Sequence, residues 1–154
     1  MRKLPSFIVA AMVVGSPLLV ASSAQSQVNP GGLRWGPAPP SLPRGAQAAV
    51  LHGNPQAPGM FTIRLRFPPG YAVAPHRHPS DEYVTVISGQ VFLGMGARMN
   101  RARAARLVPG GFIVAPANMN HYAFTRTGAV IQITANGPFA VTYVNPADDP
   151  RRRG

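Results

Sequence analysis

Few residues of this chain can do chemistry: four histidines, four acidic side chains and no cysteine. Two of the histidines, His76 and His78, flank a single residue. On a strand, positions i and i+2 point to the same face, so both imidazoles can reach one point in space. Glu82 follows past Pro79, Ser80 and Asp81, where the chain can bend and return the carboxylate to that point. His121, arriving from a later strand, completes a nitrogen and oxygen donor set that leaves coordination positions open. The bland alternative is a surface HRH and an exposed Glu82. Against it, three of the four histidines and one of the four acids fall into a ligand-like spacing. The donor set suits one divalent transition metal, namely iron, manganese, zinc, nickel or copper.

The elements that must position these residues read as β. Phe61, Ile63, Leu65 and Phe67 alternate with Thr62, Arg64 and Arg66, the period of a half-buried strand. Further strand-like stretches cover 82–87, 91–93, 112–115, 121–125, 129–134 and 139–144, separated by Gly and Pro. The segment 97–107 reads as a polar loop without an apolar stripe. Many short strands with hardly any helix predict an all-β antiparallel barrel or jelly roll. Alternation puts Val84 and Val86 on the face of Glu82, and Ala123 and Thr125 on that of His121, with Tyr122 and Phe124 opposite. The predicted cavity is small and apolar. His52 reads as a strand-end or surface residue, and Asp81, beside Glu82, should point away from the site.

The spacing around these ligands resembles the cupin family. Its first motif runs here as Gly70, YAVAP, His76-Arg77-His78, PSD, Glu82, YVTVIS and Gly89. The second runs as Gly110, GFIVA, Pro116-Ala117-Asn118, MN, His121, YAF and Thr125. Asn118 stands where the family has Gly, and Thr125 where it has Asn. Asn tolerates the left-handed backbone such a turn often needs. The likeness spans roughly residues 48–145 and extends to a group of small exported bacterial single-domain cupins. It implies a jelly-roll barrel (a double-stranded β-helix), a single metal on His76, His78, Glu82 and His121, and often a homodimer.

The rest of the composition narrows the function. Without Cys there is no disulfide, thiolate nucleophile or thiolate metal site. Arg2 and Lys3, the apolar run from Phe7 to Ala21 and the small residues Ser22, Ser23 and Ala24 read as an export signal over 1–24. The apolar run is shorter than the roughly 20 residues of a membrane span. The mature protein would be periplasmic or secreted, with no stable span after cleavage. It would comprise a Pro-rich arm over 25–47, the barrel over 48–145 and a tail over 146–154. Trp35 is placed to pin the arm, either to its own barrel or to a second subunit. The formal charge is +11, but the arginines are scattered and lack interleaved aromatics, which argues against a nucleic-acid partner. Apart from the ligands, the barrel region offers only the carboxylate of Asp81, so a dedicated general acid/base pair is missing. Tyr71, Tyr83 and Tyr122 are the remaining candidates for proton chemistry, and no catalytic residue or organic cofactor site is assigned. The expectation is a metal-dependent enzyme on a small, mostly apolar organic molecule, with dioxygenase-type chemistry foremost. The alternatives are a non-catalytic metal or small-molecule binding or sensing barrel, and a barrel merely stapled by its metal.

Overall fold

A computed structural model of the chain describes residues 27–152, so the expected export segment lies outside the described residues. Eleven strands follow in order. They are β1 (Gly36–Pro37), β2 (Gln47–His52), β3 (Gly59–Phe67), β4 (Ala72–Arg77), β5 (Glu82–Gly89), β6 (Val91–Met95), β7 (Ala105–Leu107), β8 (Phe112–Ala115), β9 (His121–Phe124), β10 (Ala129–Gly137) and β11 (Thr142–Tyr143). They form a six-stranded sheet, β1-β2-β3-β10-β5-β8, and a five-stranded sheet, β11-β4-β9-β6-β7. Every neighbouring pair in the two sheets is antiparallel. This is the predicted jelly roll. Among the described residues no helix is long and apolar enough to cross a membrane.

Alternation drives the packing. Phe61, Ile63, Leu65 and Phe67 of β3 are buried between the sheets, joined by Val84 and Val86 of β5 and by Ile131 and Ile133 of β10. Their outward neighbours make cross-strand polar pairs: Thr62 with Thr134 at 3.0 Å, and Arg64 Nε donating to Gln132 at 3.1 Å. Such pairs hold register, because a one-residue slip would exchange the two faces. The tight turn from β5 to β6 requires Gly89, whose φ is +73°. A Cβ there would also run into the Gly128 carbonyl at the start of β10.

Two segments differ from expectation. Ala105–Leu107 leaves the predicted loop to pair with β6 as β7. The rest of that loop lies over the outer face of the second sheet. Tyr122 donates to the Asn100 carbonyl at 2.8 Å, and the Arg101 guanidinium sits 4.5 Å above the Phe124 ring. Tyr122 and Phe124 thus point away from the cavity as expected, yet are buried. The stretch 139–144 is a strand only at Thr142–Tyr143. The Pro-rich arm is pinned to its own barrel: Gly36 and Pro37 pair with β2, and Trp35 lies under the Arg66 guanidinium at 4.1 Å. The tail folds back as short 3-10 turns at Pro146–Asp148 and Pro150–Arg152, where Arg151 binds Asp149 at 2.7 Å.

Candidate metal centre

Adjacent strands β4 and β9 bring the histidines together. His76 and His121 are direct cross-strand partners, beyond a register shift between Val73 and His76. Such an irregularity re-aims the side chains that follow it. His78 lies one residue past the end of β4 and, like His76, is buried, while Arg77 between them is exposed. The two turns that carry the donors are tied to each other. Asn118 N donates to the His78 carbonyl at 2.7 Å, and Ala117 N donates to Asp81 Oδ1 at 2.7 Å. Asn118 itself has φ 61°, the left-handed conformation that Asn accepts in place of Gly. Past that brace β5 begins, and Glu82 enters the barrel interior.

One ring nitrogen from each of His76, His78 and His121 lies within 4.8 Å of the others. Which nitrogen faces inward follows from hydrogen bonding. The Nδ1 atoms of His76, His78 and His121 lie 2.7, 2.8 and 3.0 Å from the carbonyl oxygens of Ala74, Ala140 and Met119. A carbonyl only accepts, so each Nδ1 carries the hydrogen and each Nε2 is left with its lone pair. The Nε2 atoms of His78 and His121 are buried without a hydrogen-bond partner. Buried nitrogens without partners are costly unless something else fills the space between them. Outward N–H groups fixed on carbonyls are the arrangement that metal-ligating histidines adopt.

The electrostatics also call for a cation. Glu82 Oε2 lies 3.2 Å from His121 Nε2 and 3.7 Å from His78 Nε2. Burial pushes the Glu82 carboxyl upward, but the three imidazoles outweigh it and hold it below its ordinary value. Burial pushes His121 downward, and the Glu82 carboxylate reverses this, leaving it raised. Burial and the two neighbouring imidazoles take His76 down to about 3, and burial lowers His78. Among the described residues no lysine or arginine lines the surrounding cavity. A divalent ion between Glu82 and the three Nε2 atoms would supply that missing positive charge, so the donor set fits a metal.

The donors stand in a cavity of about 130 Å³ between the sheets. Apart from them the only polar side chains that line it, among the described residues, are Ser41 and Gln56; the rest are apolar, including Val84, Leu93, Ala123 and Ile133.

The family model for the cupin domain matches residues 63–135. Solved structures agree on the fold. The polyketide cyclase RemF from Streptomyces resistomycificus superposes with a TM-score of 0.64 at 18% identity, covering 82% of this chain and 89% of that one. An RmlC-like cupin from Shewanella frigidimarina gives a TM-score of 0.57 at 14% identity, over 73% and 91% of the two chains. Residues 63–135 form a cupin domain. A cupin 2 domain-containing protein from Halorhodospira halophila gives a TM-score of 0.56 at 18% identity, over 68% and 73%. No curated protein matches this cupin.

The cupin's other candidates fall outside the centre. Asp81 is held by the Ala117 amide, and His52 ends β2 exposed to solvent. Tyr71, Tyr83 and Tyr122 do not line the cavity. Tyr71 donates to the Pro43 carbonyl at 2.7 Å, Tyr122 faces the Asn100 loop, and Tyr83 is exposed. None of the three presents its hydroxyl on the cavity wall beside the donors. Sequence reasoning missed Phe139, which stacks on His78 with ring centroids 4.1 Å apart, and Tyr143, which faces His76 at 5.8 Å. The strand opposite a ligand is where such a residue would be sought, and Tyr143 is indeed the ladder partner of His76.

Proposed function

We propose that this cupin binds one divalent transition metal through His76, His78, Glu82 and His121, and acts on a small, mostly apolar organic molecule beside it. The observation that carries the reading is a single one. Nitrogen lone pairs and a carboxylate converge on the wall of a cavity whose remaining lining is almost wholly apolar.

The wall chooses the body of the ligand. Val84, Ile133, Leu93 and Val141 offer contact without hydrogen bonding, and about 130 Å³ is close to the roughly 150 Å³ of an apolar cavity that admits benzene. One ring or a short branched chain therefore fits, with an oxygen function at the donor end. A metal bound there supplies Lewis acidity to such an oxygen and, for iron, manganese, nickel or copper, electron exchange with dioxygen. The protein's own contribution is to exclude water and to fix the direction of approach. Glu82 is the only carboxylate on the cavity wall, so no second acid or base is held ready for proton transfer. That absence favours chemistry carried by the metal, with dioxygenase-type reactions foremost. It also supports the second reading, a barrel that binds a metal and ligand without turnover. The basic, apolar and small-residue order of 1–24 supports export as the setting for either.

The test begins with elemental analysis of the natively purified protein beside a His76→Ala variant. Near-stoichiometric metal in the first and none in the second is the expected result. The loaded protein is then given phenolic and dicarbonyl compounds while dioxygen is monitored. Uptake coupled to product supports the enzyme, and tight binding without product supports the second reading. No metal in the native protein, even after incubation with each candidate ion, overturns both.

A further inference from the structure

The three histidines are not held alike. His76 and His121 each place Nδ1 on a carbonyl only two residues earlier in the chain, at Ala74 and Met119. Their tautomer and ring plane are therefore set locally, by the backbone that carries them. His78 stands past the end of β4, where the ladder with β11 has closed at Arg77 opposite Thr142. Its Nδ1 reaches instead to Ala140, 62 positions away in the chain, at 2.8 Å. Of the three, only His78 depends on a distant segment for its orientation.

That segment, Phe139 to Val141, opens the stretch 139–144 that the sequence pattern suggested as strand, and the structure leaves it irregular. Its Phe139 lies nearly flat on the His78 ring, with centroids 4.1 Å apart and planes 21° apart. The carbonyl next to it fixes His78 in the ring plane, and the phenyl limits tilt out of that plane. Phe139 is in turn held from two sides. Its ring meets Phe61, which is fully buried, edge-on at 5.2 Å, and its N–H donates to the Pro55 carbonyl at 2.8 Å. The same ring is part of the cavity wall, next to Pro55 and Gln56.

We propose that Phe139 is a positioning residue for His78: its stacked ring keeps the His78 Nε2 aimed at the metal. This rests on the metal-binding reading above. Removing a group that orients a ligand typically weakens metal affinity 10- to 100-fold. A merely structural aromatic would lower stability and leave affinity unchanged.

The experiment titrates the full-length protein with Co(II), whose visible absorption reports the coordination geometry. Phe139→Ala and Phe139→Leu are set beside Phe139→Tyr, which keeps the flat ring. Phe92→Leu, on the outer face of the second sheet, serves as a stability control, and His78→Ala as the ligand control. Phe139→Ala and Phe139→Leu should bind Co(II) about 10- to 100-fold more weakly, with an altered spectrum. Phe139→Tyr should restore both, and Phe92→Leu should change neither. Nitrogen NMR of the metal-free protein should show His78 as the Nδ1–H tautomer in the wild type and as a mixture in Phe139→Leu. If Phe139→Ala fails to fold, Phe139→Leu, which retains an apolar side chain, decides the matter. Wild-type affinity and spectrum in Phe139→Leu, with binding lost in His78→Ala, overturn the positioning role alone. Wild-type binding in His78→Ala overturns the metal reading beneath it.

Discussion

Ala123 lies two residues past His121 on the same face of β9, and its methyl group faces the cavity. Replacing it by leucine should stabilise the metal-free protein while closing the site to ligands. An apolar cavity costs about 24 cal/mol per Å³, so the 130 Å³ here represents roughly 3 kcal/mol of forgone stability. Leucine adds three carbons, each worth about 0.8 kcal/mol when buried, or about 2.4 kcal/mol in all. Ordering the longer side chain costs about 0.5–1 kcal/mol, which leaves about 1.5 kcal/mol and lies below the 3 kcal/mol ceiling. For a domain of this size that is a rise in Tm of roughly 5 °C. The assays are thermal unfolding and a binding screen of one-ring phenols and short dicarbonyls against the metal-loaded protein. Co(II) affinity should not change, since no donor moves. A variant that is less stable than wild type, and that still binds the same compounds, would refute the reasoning. It would mean that Ala123 borders packed side chains and that ligands enter elsewhere.

Two further outcomes follow from other parts of the molecule. Burial, with the Asp149 charge behind it, raises the Tyr143 hydroxyl to about 12, and burial followed by Tyr143 raises that of Tyr71. A folded value above the unfolded one means that the native state holds its proton longer. The stability contributed is therefore complete below pH 10 and, for Tyr143, lost as pH rises from 10 towards about 12. The slope should reach about 1.4 kcal/mol per pH unit for each tyrosine, and denaturant melts at pH 9, 10.5 and 11.5 should show it shallower in Tyr143→Phe. At the turn before His121, where Asn118 has φ 61°, Asn118→Gly should stay within about 0.5 kcal/mol of wild type and Asn118→Val should lose about 1–2 kcal/mol, measured by urea unfolding.

How far the sequence could be read depended on the range of the interaction. Phe61 to Phe67 declare their strand and inward face because alternation is local, and all four are buried as expected. His76 and His78 share a face for the same reason, and the return of Glu82 is set by a bend three residues long. Asn118 was legible as a left-handed position because backbone sterics act within one residue. What local patterning cannot carry is contact between distant segments. The alternating apolar residues of 139–144 imitate a strand, but the pairing stops after Tyr143 and Thr142 have met His76 and Arg77. Tyr122 and Phe124 face away from the cavity, as alternation demands, and only the lie of the Asn100 loop reveals that they are buried. The contact of Phe139 with His78 spans 61 positions in the chain, and no spacing rule reaches so far. Likewise nothing in the order of residues disqualified the tyrosines. Their hydroxyls are engaged by carbonyls of distant loops or, for the exposed Tyr83, by Asp81 at the surface.

The acceptors that hold the three imidazoles are main-chain oxygens, those of Ala74, Met119 and Ala140. Exchange of any of those three side chains leaves its acceptor in place, provided the strand path persists. Where a carboxylate side chain orients a ligand, one point mutation can erase the outer support; here that route is closed. The aim of the donors is inherited from the barrel, with the Phe139 ring as its one side-chain support in the wall, while the rest of the cavity lining is drawn from side chains that can drift one by one. A lineage built this way can change what it admits without first losing its grip on the ion. The centre is fixed by its backbone and, Phe139 apart, free in its lining, and ancestry and substrate come apart at that seam.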